Sequence, residues 1–157
     1  MTPAVHTTIA TLPAPANDAN ESPERLLRVL CVDDLEDAAD TLAAVVELLG
    51  CAVRVSYGGE AALDAFAAFA PDVVLLDLTM PGVDGLEVAA RLWAQAGPRP
   101  LLLAATTALG SLADQTATAL AGFHFHLVKP VALPALRATL DQCRAVVGLS
   151  ATDCHDE

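Results

Sequence analysis

Basic residues are scarce in this sequence. Of 157 residues only 8 are Lys or Arg, against 20 Asp or Glu, and the formal net charge is −12 at pH 7. Proteins that bind nucleic acids neutralise backbone phosphates with Lys and Arg, and anionic lipid surfaces attract the same residues. The composition therefore argues against nucleic acid and against a membrane surface as partners.

Long apolar runs and secretion signals are also missing. No segment is long and apolar enough to span a bilayer, and the N-terminus lacks the basic start and apolar stretch of a signal peptide. The four cysteines show no Cys-x-x-Cys spacing, and two of them fall inside apolar patterns. Buried, reduced thiols are typical of cytosolic proteins, so we expect a cytoplasmic protein. The cysteines are Cys31, Cys51, Cys143 and Cys154.

Three segments differ in composition. Residues 1–24 are rich in Ala, Thr, Pro and Asn and show no apolar period, which predicts a disordered N-terminal arm. Residues 25–148 carry the apolar patterns of one folded domain. Residues 149–157 are interpreted as a polar C-terminal tail. Hydrophobic residues make up 54% of the chain, enough to fill a core.

Within the folded segment, short apolar runs alternate five times with helical periodicity. Such alternation is typical of an α/β protein in which helices cover both faces of a parallel sheet. The run before Asp77 is four consecutive apolar residues, as expected for a strand buried on both faces. The five predicted strands cover residues 27–32, 52–57, 73–77, 101–105 and 123–128.

Polar residues follow the strands at their carboxyl ends, which share one rim in a parallel sheet. Asp33 and Asp34 follow the first strand, Asp77 ends the third, Thr107 follows the fourth and Lys129 follows the fifth. Three acids brought together repel one another and favour a divalent cation. Carboxylate oxygens suit Mg²⁺, which uses few carboxylates and keeps several waters.

This rim could perform phosphoryl transfer. An Asp such as Asp77 is a known type of nucleophile that forms aspartyl phosphate. Lys129 could neutralise phosphoryl oxygens, and the Thr107 hydroxyl could donate to one of them. Considered alone, Asp33-Asp34 could be only an acidic turn, and Lys129 could be only a surface lysine. Thr106 is an alternative to Thr107 for the role of the threonine at this rim.

The motifs Val32-Asp33-Asp34, Asp77 to Gly85, Thr107-Ala108 and Lys129-Pro130 resemble, in order and spacing, the receiver domains of two-component response regulators. The resemblance covers about residues 26–148. It implies a flavodoxin-like, doubly wound sheet of five parallel strands in the order 2-1-3-4-5. The run before Lys129 is similar to receivers attached to hybrid histidine kinases, although we expect this chain to be a stand-alone receiver.

The resemblance also implies roles. Asp77 would accept a phosphoryl group from a histidine kinase or a histidine phosphotransfer protein, and Lys129 would pair with it. Mg²⁺ would be held by Asp33, Asp34, Asp77 and the backbone carbonyl of Thr79. The chain would be a signalling phosphoacceptor rather than an enzyme with its own substrate. It would switch a surface for a downstream protein that the sequence does not identify.

The same resemblance implies a switch and two docking places. Thr107 would move towards the phosphate, and position 126, an aromatic residue in most receivers, is His126 here. The kinase would dock near the first helix, around Asp37, Ala38 and Leu42. The output surface would be the fourth helix, the fifth strand and the fifth helix. The Lys129-Pro130 bond is expected to be cis.

Two other functions stay open. A binding module of receiver fold that works without phosphorylation would explain His126 in place of the aromatic residue. A phosphatase of the haloacid-dehalogenase type would need an acid two residues after its nucleophile, where this chain has Thr79. A metal pair formed by His124 and His126 lacks a third ligand nearby in the sequence.

Overall fold

The computed structural model describes the backbone of residues 5–7 and residues 25–80, 82, 84–108 and 112–149. Within these residues, helices and strands alternate after a first short strand. The strands are β1 (Val5–Thr7), β2 (Arg28–Val32), β3 (Ala52–Ser56), β4 (Val73–Asp77), β5 (Leu102–Thr107) and β6 (Phe125–Val128). The helices are α1 (Glu36–Leu48), α2 (Gly59–Phe69), α3 (Gly85–Ala96), α4 (Leu112–Leu120) and α5 (Leu133–Val147).

The strands form one sheet in the order β1-β6-β5-β4-β2-β3. The five strands from β2 onward are parallel. Counted from β2, their order is 2-1-3-4-5, so the predicted doubly wound α/β fold is confirmed. β2 and β4 are neighbours at the point where the strand order reverses, and this is where open α/β sheets place their ligands.

The core consists of two apolar clusters, one on each face of the sheet. Alternate residues of β4 supply them: Leu75 belongs to the cluster under α1 and α5, and Leu76 belongs to the cluster under α2 and α3. All five residues of β4 are buried. A strand that is covered on both faces has a continuous apolar sequence. Burial on both faces also determines where the strand ends.

β1 was not expected from the sequence. It pairs antiparallel with β6, with Val5 opposite Leu127, His6 opposite His126 and Thr7 opposite Phe125. These residues fall in the segment 1–24 that composition predicts to be disordered, so the prediction is wrong at these three residues. A three-residue strand is too short to show a period, and its partner lies far along the chain. Residues 1–4, 8–24 and 150–157 lie outside the described residues, and the domain boundaries stay a prediction.

No helix in the described part of the chain is both long and apolar enough to cross a bilayer.

Candidate functional site

Asp77 lies at the carboxyl end of the central strand β4, with its side chain almost fully buried. Its Oδ1 accepts hydrogen bonds from the Thr79 amide (3.0 Å) and the Thr79 hydroxyl (2.7 Å). The same oxygen lies 3.3 Å from Lys129 Nζ. These contacts fix the orientation of the carboxylate. The sequence predicts a ligand role for the Thr79 carbonyl, and it does not predict this contact between the Thr79 hydroxyl and Asp77.

Asp33 and Asp34 come directly after β2, the neighbour of β4. A carboxylate oxygen from each of Asp33, Asp34 and Asp77 lies within 4.8 Å of the other two. Asp33 is buried and Asp34 half-buried. The structure thus brings together the three acids that the sequence placed at one rim.

This cluster fits a small divalent cation. Three carboxylates share the space with the single ammonium group of Lys129, so the group keeps a net negative charge when all four are ionised. Hard carboxylate oxygens are the ligands that Mg²⁺ prefers. The predicted ligand role of the Thr79 carbonyl stays a prediction, since the structure shows the amide and hydroxyl of Thr79 engaging Asp77.

Lys129 bridges two of the acids. Its Nζ lies 2.9 Å from Asp33 Oδ2 and 3.3 Å from Asp77 Oδ1, so it contacts Asp33 as well as the expected partner Asp77. Burial by itself lowers the pKa of the Lys129 ammonium, but the hydrogen bond to Asp33 and the charge of Asp77 outweigh it, and the pKa is raised above 10.5. The Lys129-Pro130 bond is cis, as predicted.

The two candidate threonines lie on opposite faces of the sheet. Ala104 belongs to the core cluster under α1 and α5, and Ala105 belongs to the cluster on the other face. Side chains alternate along a strand, so Thr106 lies on the α1/α5 face and Thr107 on the α2/α3 face. Thr106 borders the groove beside Asp33 and Lys129. The Thr107 carbonyl accepts the Lys129 amide at 2.8 Å.

His126 is fully buried and contacts α4. Its Nδ1 lies 3.2 Å from Thr118 Oγ1, and the same hydroxyl lies 2.9 Å from the Gln115 carbonyl. His126 pairs in register with Ala105, so it lies on the same sheet face as Thr107. The two predicted switch residues therefore lie on the same face of the sheet, and the contact between His126 and Thr118 connects that face to α4.

His124, the other candidate of the histidine pair, has a structural environment. Its ring nitrogen Nδ1 accepts the Leu103 amide at 3.2 Å, and the ring makes an edge contact with Trp93 at 5.7 Å. Burial lowers its pKa to about 4. Among the described residues, the acidic trio is the one group with metal-ligand spacing, and neither histidine belongs to it.

Gly85 ends the motif that begins at Asp77, and the structure gives it a packing role that the sequence does not predict. It begins α3, and a Cβ added there would lie 2.6 Å from Leu78 Cδ2 and 3.3 Å from Leu78 Cα. The next residue after Leu78 is Thr79, which holds Asp77. A glycine eight residues after a strand-end acid was the available signal, since glycine permits close backbone approach.

A groove of about 960 Å³ lies beside the acids, between α1 and α5. Its walls are mainly apolar side chains of the two helices, and Asp33 and Lys129 lie at one end. The three residues named as a docking place for a kinase, Asp37, Ala38 and Leu42, all line it. The sequence predicted a docking place on this side of α1, but it could not show that α5 forms the opposite wall of the groove.

Comparison with known proteins places these observations in a family. Residues 29–141 match the model of the response regulator receiver domain. The chain is 36% identical over 114 residues to the response regulator MprA of Mycolicibacterium vanbaalenii, covering 73% of this chain and 48% of that protein. It is 35% identical to MprA of Mycobacterium tuberculosis H37Rv, with 73% and 49% covered. The chain thus spans about half the length of these relatives.

Solved structures show the same fold. A CheY-like receiver domain from Methylobacillus flagellatus superposes with a TM-score of 0.65 at 27% identity, covering 75% of this chain and 98% of that one. CheY4 of Vibrio cholerae gives a TM-score of 0.70 at 24% identity, with 75% and 98% covered, and shows the fold alone. The chain belongs to the response regulator receiver domain family of two-component systems.

Proposed function

We propose that this receiver takes a phosphoryl group onto Asp77 from a phosphohistidine of a histidine kinase or phosphotransfer protein. The observation that carries the proposal is the constellation at the end of β4: a buried Asp77 carboxylate, two further acids within 4.8 Å and Lys129 at 3.3 Å. Each part has a role in phosphoryl transfer, which depends on positioning and charge stabilisation.

The two oxygens of Asp77 have different roles in the proposed transfer. Thr79 and Lys129 engage Oδ1 of Asp77, so we assign Oδ2 as the nucleophile. It forms the new P–O bond while the P–N bond to the donor imidazole breaks, and that nitrogen keeps the electron pair. Lys129 lies close enough to contact an oxygen of the incoming group.

We propose that Mg²⁺ binds Asp33, Asp34 and Asp77, with the carbonyl of Thr79 as a further ligand. The ion supplies positive charge that lowers repulsion between the carboxylates and the phosphoryl oxygens. Without it, the acids and the phosphate would repel one another at this rim. The protein is then a phosphoacceptor that assists its own phosphorylation and loss of phosphate, rather than an enzyme acting on a separate substrate.

The groove between α1 and α5 is the proposed donor site. Its mouth leads to Asp33 and Lys129, and Leu48 on its rim is 80% exposed while Leu133 is 49% exposed. A mostly apolar groove with exposed leucines fits a helix of a donor protein. The site would be in the cytoplasm, where histidine kinases present their phosphohistidine.

The output would pass through β6 and α4. Thr107 moves towards the phosphate, and the buried contact between His126 and Thr118 transmits the change to α4. The proposed consequence is a changed surface for a downstream protein, formed by α4, β6 and α5. Nucleic acid is not the proposed partner, because the chain is strongly acidic.

Intact-mass measurement after incubation with Mg²⁺ and acetyl phosphate tests the phosphoacceptor. We expect a phosphoryl adduct on the native protein and none on Asp77→Asn, with Asp34→Asn strongly reduced. A different outcome is no adduct on the native protein with acetyl phosphate or with a phosphorylated phosphotransfer protein, although Mg²⁺ still binds. That result would favour the alternative function, a binding module that works without phosphorylation. Leu48→Glu tests docking: transfer from a protein donor should slow, and labelling by acetyl phosphate should stay unchanged.

A further inference from the structure

The two edges of the sheet are protected differently. β3 forms one edge and presents the exposed, charged Arg54, a common device against edge-to-edge pairing. The last of the parallel strands at the other end, β6, has the sequence Phe-His-Leu-Val, with neither Lys, Arg, Asp, Glu nor Pro. β1 lies against that strand and supplies the sheet edge instead.

Strand alternation shows which amides of β6 face β1. The Lys129 amide donates to the Thr107 carbonyl of β5 at 2.8 Å. Successive amides along a strand point to opposite neighbours. In the register that pairs Thr107 with Val128, the amides of Phe125 and Leu127 therefore face β5, and the amide of His126 faces away from β5.

The register of β1 matches this outward group. His6 lies opposite His126, between the pairs Val5–Leu127 and Thr7–Phe125. In an antiparallel ladder, opposed residues alternate between hydrogen-bonded and non-bonded pairs. Since His126 carries the outward amide, its pair with His6 is the hydrogen-bonded one, and the amides of Val5 and Thr7 point away from β6.

β1 also resembles the strand that it covers. A His stands at the centre of both Val5-His6-Thr7 and Phe125-His126-Leu127, and the two histidines lie opposite each other. Two copies of β6 in antiparallel pairing about His126 would use the same amides and carbonyls, with each Phe125 opposite a Leu127. Such a two-fold arrangement is self-complementary.

We propose that the outer edge of β6 is a pairing surface for a second copy of this chain and that Val5–Thr7 occupies it in cis. The protein is then monomeric while β1 is in place and dimerises through β6 when β1 leaves. A tethered segment acts at an effective concentration on the order of millimolar, which lets a three-residue strand compete with a second copy. The inference does not depend on phosphorylation of Asp77.

Proline substitutions in the 157-residue chain separate the two kinds of β1 position. His6→Pro removes the amide that points to β6. Val5→Pro combined with Thr7→Pro is the control, because the amides it removes point away from β6. Hydrogen exchange of the His126 amide reports the edge, and the Phe125 and Leu127 amides report whether β6 stays in the sheet.

In dilute solution, we expect the His126 amide of the His6→Pro variant to exchange roughly five- to tenfold faster than in the native chain. The Phe125 and Leu127 amides should be unchanged, and the double variant should resemble the native chain. At high protein concentration, in enough salt to screen the net charge of −12, sedimentation should show a dimer of the His6→Pro variant. Protection of the His126 amide should then return.

Two results would overturn the proposal. Equal exchange of the His126 amide in all three proteins would show that β1 does not hold this edge. An exposed His126 amide in a His6→Pro variant that stays monomeric, or that dimerises without renewed protection of this amide, would show that β6 is not the surface through which two copies pair.

Discussion

Replacing Lys129 by Met should destabilise the protein in the absence of divalent cations and increase the stabilisation that Mg²⁺ provides. The ammonium group lies 2.9 Å from Asp33 Oδ2 and 3.3 Å from Asp77 Oδ1. At an effective dielectric constant of about 20, each contact corresponds to a gross attraction of about 5 kcal/mol. The variant would leave three clustered carboxylates without a counter-charge.

Two effects reduce that figure. Burying the ammonium group costs free energy, and the Lys129 side chain is still 28% exposed, so water screens it. We therefore expect a net loss of about 1–3 kcal/mol in the free energy of unfolding. Because the pKa of Lys129 is raised, its contribution is complete below pH 10.5 and is lost as the pH rises through the higher pKa of the folded state.

Urea unfolding at pH 7 with and without Mg²⁺ is the assay. The ion stabilises whichever protein binds it more tightly in the folded state, so the gain should be larger for Lys129→Met than for the native chain. Lys129→Arg keeps the charge and should behave like the native protein. A loss below about 0.5 kcal/mol, or an equal Mg²⁺ effect in both proteins, would refute the electrostatic account of this cluster.

Three further predictions concern single residues. Gly85→Ala should slow labelling of Asp77 by acetyl phosphate, because the added Cβ would push on Leu78; unchanged labelling would contradict this. Burial lowers the pKa of His124 from 6.5 to about 4, so stability present above pH 6.5 should fall by about 3 kcal/mol towards pH 4. Urea titrations should show a smaller fall for His124→Gln. Asp72→Ala should cost about 2–3 kcal/mol in thermal or urea unfolding, because the buried Asp72 accepts two hydrogen bonds from Arg25 at 2.8 and 3.0 Å; a loss near zero would contradict this.

The sequence alone determined the fold class and the composition of the rim. Apolar runs of strand length alternating with helical periods require a parallel sheet with helices on both faces. In such a sheet every strand ends at the same rim, so residues that follow strands, such as Asp33, Asp77 and Lys129, must lie near one another. Local pattern and strand direction are enough for this inference, and no side-chain geometry is needed.

Only the tertiary structure decided how those residues meet. Lys129 bridges Asp33 and Asp77, and the Thr79 hydroxyl holds Asp77. His126 bonds to Thr118 in α4. Each contact depends on rotamers and on the spacing of packed elements, which no period in the sequence encodes.

The pairing of β1 shows the same limit at the level of the backbone. Three residues cannot display a strand period, and their partner β6 is more than a hundred residues away in the chain. The pairing exists because the folded sheet presents the outward amide of His126 at an edge. The sequence determined which elements form and which way they point, and tertiary packing decided which surfaces and side chains they share.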